Sequence, residues 1–255
     1  MKYYILGSNG FIGSNLYFAF EKNGLNVIAL DRNNFDITKK DDYKRIDFSN
    51  STIIDTIASI DDSEDEIFKV NVNGLKNFIN YLKNNCKNYR YVYFSTASVS
   101  DKEMICNNHY VKSKHEAEKL IRKNILNYQI VRLVFPFGRG EKKTRLISRL
   151  IEQIRKGEQL AFSEVTLNLT PIEYITTNIS MLLKSEQKEI ILTDGSIYKL
   201  KEIVDFLYAA MQLPKNYTYD REKIVKHVFV SNVRGFAPIK KNIDFYLRKM
   251  LDENE

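Results

Sequence analysis

The chain has 255 residues, 44% of them hydrophobic and 28% charged, enough to bury one large domain or a domain with a small lobe, and too apolar for a disordered chain. Four prolines, ten glycines and no uncharged apolar run near the ~18 residues of a membrane helix exclude fibrous and membrane-spanning classes. Basic residues exceed acidic ones by 39 to 32, for a net +7 and a pI near 9.1, but the lysines are scattered among acids without interleaved aromatics, so no nucleic-acid partner is expected.

In chain order, residues 2–6 predict a strand, 11–23 a helix closed by Gly24, and 26–30 a second strand. An apolar strand follows over 51–58. Ser63 and Glu66 have capping-box spacing and open a helix reaching residue 83. A strand at 91–94, a helix at 111–123 and a strand at 129–134 complete an alternation that means a doubly wound parallel sheet of the Rossmann type. Beyond residue 140 the pattern changes to helices near 144–156, 174–184, 199–213 and 240–251 joined by short apolar strands. This predicts an α/β domain over 1–140 and a small, mostly helical lobe over 141–255, open to interleaving with the sheet. Cys86 and Cys106 lie twenty residues apart and suit neither a disulfide framework nor a metal site, so reduced thiols in a cytoplasmic protein are expected.

Three local patterns carry chemistry. The first strand runs into Gly7-Ser8-Asn9-Gly10-Phe11-Ile12-Gly13. There Gly7 allows a tight turn, Gly10 a close approach of backbone to a diphosphate, and Gly13 close helix–strand packing, with the helix N-terminus facing the phosphates. Asp31 ends the second strand eighteen residues past Gly13, where an acid binds ribose hydroxyls and repels a 2′-phosphate. That favours NAD, while Arg32 beside it leaves NADP open. Tyr110 and Lys114 stand at i and i+4 on one helix face. An ammonium there lowers the pKa of the phenol, which then exchanges a proton with a substrate alcohol or ketone. Thr96 closes a strand at the end where such sheets place ligands.

Taken together, these residues resemble the extended short-chain dehydrogenase/reductases, the NAD-dependent epimerase/dehydratase family that works mostly on nucleotide sugars. The resemblance covers nearly the whole chain, from Gly7–Gly13 through Asn71-Val72-Asn73-Gly74 and Tyr93–Val99 to Phe236-Ala237-Pro238. It implies a cofactor site of Gly7, Asn9, Gly10, Phe11, Ile12, Gly13, Asp31, Arg32, Asp36, Ile37, Ala58, Ser59, Ser95, Tyr110, Lys114 and Val134. It implies catalytic roles for Thr96, Tyr110 and Lys114, with Asn71 supporting Lys114. Substrate contacts fall on Thr96, Ser98, Phe135 and Arg139, the last within a basic cluster with Lys142, Lys143, Arg145 and Arg149. The partner implied is a nucleotide sugar, in a setting such as surface polysaccharide synthesis. A homodimer through the faces of residues 71–83 and 111–123 is also allowed.

Departures from the pattern narrow the expectation. Thr96 and Tyr110 are fourteen residues apart, shorter than the family's usual spacing. Phe135 stands where the family has a nucleotide-binding Asn, and Ile175-Thr176-Thr177-Asn178 replaces its V-D-D acids. Ala97-Ser98 follow Thr96 without the acids that eliminate water in the dehydratases, so 4-epimerisation or ketoreduction is favoured over dehydration. No metal is expected. The acidic run Asp61, Asp62, Glu64, Asp65 and Glu66 suits a helix N-terminus. His109 adjoins Tyr110, where it could tune it, but like His115 and His227 it is read as an ordinary surface or packing residue. The rival from another class is a non-catalytic dinucleotide sensor or structural protein on the same fold.

Overall fold

The structure is a computed structural model that describes residues 2–60, 63–233, 236–237 and 242–252. It divides into two compact units, Met1–Leu133 with Leu183–Ile190, and Val134–Leu182 with Ile191–Glu255. The first unit runs β1 (Lys2–Leu6), α1 (Phe11–Lys22), β2 (Val27–Leu30), α2 (Lys40–Lys44), β3 (Ser51–Asp55), α3 (Glu64–Phe68), α4 (Leu75–Asn85), β4 (Arg90–Thr96), α5 (Lys102–Asn107), α6 (His109–Asn124) and β5 (Tyr128–Leu133). The chain continues through β6 (Pro136–Phe137), α7 (Leu146–Arg155), β7 (Leu160–Asn168), β8 (Thr170–Pro171), α8 (Ile172–Lys184) and β9 (Glu189–Leu192). It ends with β10 (Ile197–Lys199), α9 (Leu200–Ala210), β11 (Tyr217–His227) and α10 (Ile243–Asp252).

The main sheet has six strands in the order β2-β1-β3-β4-β5-β9, with the first five parallel. Strands β3 and β4 are buried almost end to end, as sheets covered on both faces require. The chain winds outward from β1 to β2, then returns to β3 on the other side of β1. That reversal opens a crevice at the strands' carboxyl ends, where doubly wound sheets bind ligands. On one face α4 buries Leu75, Phe78, Ile79 and Leu82, a one-sided stripe at helical spacing. Phe78 packs its ring 5.4 Å from Phe35, 5.4 Å from Tyr43 and 5.2 Å from Phe48.

Several expected elements differ in extent. The strand expected over 51–58 ends at Asp55, because the Asp55 carboxylate turns back to accept the Ile57 N–H and Thr56 donates its hydroxyl to the Leu6 carbonyl. The helix expected from Ser63 to residue 83 is broken by a π-helical turn, Lys69–Gly74, between α3 and α4. Ser63 does cap it, accepting the Glu66 N–H. Helices α2 and α5 are too short for periodicity to announce.

The second unit is less helical than expected. Its core is made by α7, α9 and α10, but these pack with a three-stranded sheet of order β10-β7-β11, and β6 pairs with β8. The cause of the miss is β11. Its sequence Tyr-Thr-Tyr-Asp-Arg-Glu-Lys-Ile-Val-Lys-His has no apolar run, since it is a largely exposed edge strand guarded by charge, with a break in register between Asp220 and Ile224. Asp61 and Asp62, Pro238 of the terminal motif and Lys240 of the last expected helix lie outside the described residues. No described helix is long and apolar enough to cross a membrane.

Candidate active site

The glycine loop packs and turns on bare backbone. Gly7 adopts φ +78°, a left-handed conformation that favours glycine, and the Gly10 N–H closes the turn onto its carbonyl at 2.9 Å. A Cβ on Gly13 would lie 2.2 Å from the Gly7 carbonyl oxygen and 2.7 Å from Thr56 Oγ1, so α1 meets β1 and the segment after β3 only through a glycine. Gly10 is the N-cap of α1; no side chain caps that helix and no acid occupies its first turn. The amides of Phe11, Ile12 and Gly13 therefore present the positive end of the helix to an anion. The buried Ser8 Oγ has no hydrogen-bond partner among the described residues.

The acid at the end of β2 is tied to this loop. Asn9 Nδ2 donates to Asp31 Oδ2 at 2.7 Å, and the Asn33 N–H holds Oδ1 at 2.8 Å. Arg32 is exposed. Asp36 accepts the N–H and hydroxyl of Thr38. Burial pushes its carboxyl up, but those bonds and the neighbouring Lys39 and Arg32 bring it below its ordinary value. Ile37 is buried and touches the π turn, where a Cβ on Gly74 would lie 3.0 Å from its Cγ2.

The remaining first-unit candidates meet at the ends of β3 and β4 and the start of α6. The π turn aims the buried Asn71 amide at Ser59. Its Oδ1 accepts the Ser59 N–H at 2.8 Å, while Nδ2 donates to the Ser59 carbonyl at 2.8 Å and to Ser113 Oγ at 2.9 Å. Asn71 thus clasps Ala58-Ser59 to α6 one residue before Lys114. Tyr110, half-buried, sits in the first turn of α6, whose N-cap Asn108 accepts the Val111 N–H. Lys114, one turn on, is 1% exposed. Its ammonium lies 4.1 Å from the Tyr93 ring centre and 3.5 Å from the Ile57 carbonyl oxygen. Burial pulls it down to about 8, against the opposing pull of Asp55 and Glu118.

Thr96 ends β4 and caps a 3-10 turn, Ala97–Ser100, accepting the Ser98 N–H on Oγ1. With that lone pair engaged, its hydroxyl proton can be donated outward. Ser95 is buried with Oγ unpartnered among the described residues, and Ser98 is half-buried. The short stretch between Thr96 and Tyr110 holds this turn and α5, so it is ordered helix rather than loop.

Two features of this region were missed from sequence. Asp55 is a fully buried carboxylate under Lys114, signalled only by an acid inside the apolar run Ser-Thr-Ile-Ile-Asp. Glu118, also buried, holds Arg122 and Arg132, which both reach Glu189. Its signal was the Glu118–Arg122 spacing of four. His109 is exposed and pairs with Glu64 at 3.1 Å, alongside Lys112.

In the second unit Val134 is buried and Phe135 is held at φ +37°, unusual for an aromatic residue, with its ring 5.8 Å from that of His227. Arg139 is exposed. The basic cluster turns partly onto its own segment, with Lys143 near Glu152 and Arg145 reaching the Pro136 carbonyl. Asn178, in the stretch that replaces V-D-D, binds both the N–H and the carbonyl of Ala237. Cys86 is buried and Cys106 exposed, both as free thiols, and no cluster of metal-ligating side chains occurs among the described residues.

The profile of the NAD dependent epimerase/dehydratase family matches residues 3–172. Among solved structures the chain is similar to RMD from Pseudomonas aeruginosa complexed with NADPH, with a TM-score of 0.82 at 16% identity, covering 99% of this chain and 96% of that one. MoeE5 in complex with UDP-glucuronic acid and NAD aligns with a TM-score of 0.79 at 17% identity, over 100% of this chain and 99% of the other. UDP-glucuronic acid 4-epimerase from Bacillus cereus, in complex with UDP-glucuronic acid and NAD, gives 0.78 at 15% identity, over 99% and 98%. At these identities the likeness shows a shared fold. No curated protein sequence matches the chain.

Proposed function

Because the chain belongs to the NAD dependent epimerase/dehydratase family, we propose that it oxidises or reduces a ring carbon of a nucleotide-activated sugar, in a 4-epimerisation or a ketoreduction. The observation that carries this reading is Tyr110 and Lys114 one turn apart at the head of α6, with Lys114 buried beside the ends of β3 and β4. Support for the substrate class comes from the relatives that hold UDP-glucuronic acid.

The loop fits a dinucleotide on its own geometry. The space a Cβ on Gly13 would fill is occupied by backbone, the α1 amides face outward, and Asp31 is held beside them by Asn9. Gly7 to Gly13 would hold the diphosphate and Asp31 the adenosine ribose, which favours NAD over its 2′-phosphorylated form. Asp36, Ile37, Ala58, Ser59, Ser95 and Val134 complete the proposed cofactor contacts. When bound, the nicotinamide supplies hydride exchange. Tyr110 gives or takes the proton of the sugar oxygen. Lys114 lowers the pKa of that phenol and binds ribose hydroxyls. Thr96 donates its hydroxyl proton to the reacting oxygen and orients it. Asn71 positions Lys114 through the Ser59–Ser113 clasp. Ser98, Phe135 and Arg139 are the proposed substrate contacts, Phe135 offering a ring where the family offers an amide.

Native mass spectrometry of freshly purified protein tests the cofactor, and turnover of UDP-sugars by wild type and Tyr110→Phe tests the chemistry. Tyr110→Phe should lose at least about 10²-fold in turnover, in line with the contribution of general acid–base catalysis, while keeping cofactor affinity. Retained NAD(H) with turnover of UDP-sugars and no added cofactor indicates an epimerase, and exchangeable cofactor a reductase. Cofactor binding with no turnover in either protein would replace the enzyme by the sensor reading.

A further inference from the structure

Beneath the proposed catalytic pair lies a buried carboxylate that the chemistry above does not use. Strands β3 and β4 pair with Ile53 opposite Tyr91 and Asp55 opposite Tyr93, so Asp55, Tyr91 and Tyr93 share one face of the sheet. All three are 0–2% exposed. Each oxygen of Asp55 has a donor: the Tyr91 hydroxyl reaches Oδ2 at 2.6 Å and the Ile57 N–H reaches Oδ1 at 2.9 Å. The carbonyl of that same Ile57 accepts from Lys114 Nζ at 3.5 Å, and the ammonium rests on the Tyr93 ring. One residue therefore joins the anion through its N–H and the cation through its C=O.

We propose that Asp55 is a positioning residue for Lys114, holding its ammonium charged and in place through Ile57. The inference rests on reading Tyr110 and Lys114 as an acid–base pair, and it goes beyond that reading by naming what supports the cation. A lone ammonium at this depth would shed its proton, since burial disfavours the charged form.

The charged and titratable groups around Lys114 leave Asp55 as its counter-charge. On α6, Glu118 is already matched by Arg122 and Arg132. From β4, burial raises the phenols of Tyr91 and Tyr93 well above their ordinary value, so both stay neutral. Tyr110, also on α6, is the group that Lys114 serves. Burial pushes Asp55 up as well, opposed by Lys114, the Tyr91 hydroxyl and the Ile57 N–H.

The test reads the proton on Lys114 itself. Protein labelled with 13C at the lysine Cε is titrated by NMR without cofactor or substrate, and the Lys114 signal is assigned by its loss in Lys114→Arg. The wild-type midpoint should lie near 8. In Asp55→Asn it should fall by about one pH unit or more, a tenfold loss of proton affinity. An unchanged midpoint overturns the proposal. Should Asp55→Asn fail to fold, the coupling is read from the other end, because it is reciprocal. The Asp55 carboxyl, labelled with 13C, should titrate about one unit or more higher in Lys114→Met than in wild type, and an unshifted carboxyl also overturns it. A shifted midpoint together with full turnover by Tyr110→Phe would leave the coupling standing and sink the acid–base reading instead.

Discussion

The two units solve the same folding problem with different tolerance for change. In the first, Gly7, Gly13 and Gly74, the buried charges and one π turn are each fixed by a specific neighbour at contact distance. In the second, Gly138 alone among the described glycines has such a neighbour, with Ile172 Cγ2 2.7 Å from its Cβ position. Gly140, Gly157 and Gly195 all have positive φ, yet among the described residues nothing lies within 4 Å of where a Cβ would stand. Its charged side chains likewise gather at the surface, as Lys201 and Lys215 do around Asp205. A unit that must bring backbone against a ligand has its constraints written in single residues. A unit held by helix stripes against a small sheet has them spread over many positions.

Substitutions chosen in pairs across the two units sharpen this contrast. The largest effect is expected from Glu118→Ala, which leaves Arg122 and Arg132 sharing Glu189 in a partly buried network and should cost about 3 kcal/mol in urea unfolding. Gly13→Ala comes next. With 2.2 Å between its Cβ and the Gly7 carbonyl oxygen, α1 must move. About 2 kcal/mol of stability should be lost, and NADH binding, followed by its fluorescence, should disappear. Gly157→Ala in the second unit meets only the left-handed backbone at φ +69° and should cost about 1 kcal/mol. Equal losses at Gly13 and Gly157 would break the comparison.

Asp205→Asn should have the smallest effect. Burial raises the Asp205 carboxyl, but hydrogen bonds from Lys201, Lys215 and Tyr217 outweigh it and hold the group at about 2. Because the native value is depressed, its stabilisation is present above the ordinary carboxylate range and is lost as pH falls through about 2. At pH 7 the loss in Asp205→Asn should stay below about 1 kcal/mol for a pair this near solvent. The gap between wild-type and variant urea midpoints should close between pH 5 and pH 2.

Legibility in the sequence follows the same division. The parallel sheet, the Gly7–Gly13 turn and the Tyr110–Lys114 spacing were readable because each depends on residues close together in the chain. Asp55 was not, because its meaning comes from Tyr91 and Lys114, distant in sequence and brought to it by β4 and α6. Edge strand β11 was hidden for the opposite reason. Exposure leaves it a polar composition that resembles a loop, and only its pairing with β7 makes it a strand. The clasp of Asn71 on Ser59 and Ser113 was hidden too, since the periodicity of 63–83 announces an unbroken helix.

That break, Lys69–Gly74, has a consequence for how this helix tolerates insertion and deletion. A π turn stores one residue of phase, and each residue of an α-helix turns the chain by about 100°. Ahead of the stored residue, Asn71 is in phase with Ser59 and Ser113; behind it, Leu75, Phe78 and Leu82 are in phase with the core. Deleting Val72 would let residues 64–85 run as one regular α-helix, but one of the two faces would then rotate off its target. The helix is irregular because it keeps two appointments whose spacing no whole number of α turns can match.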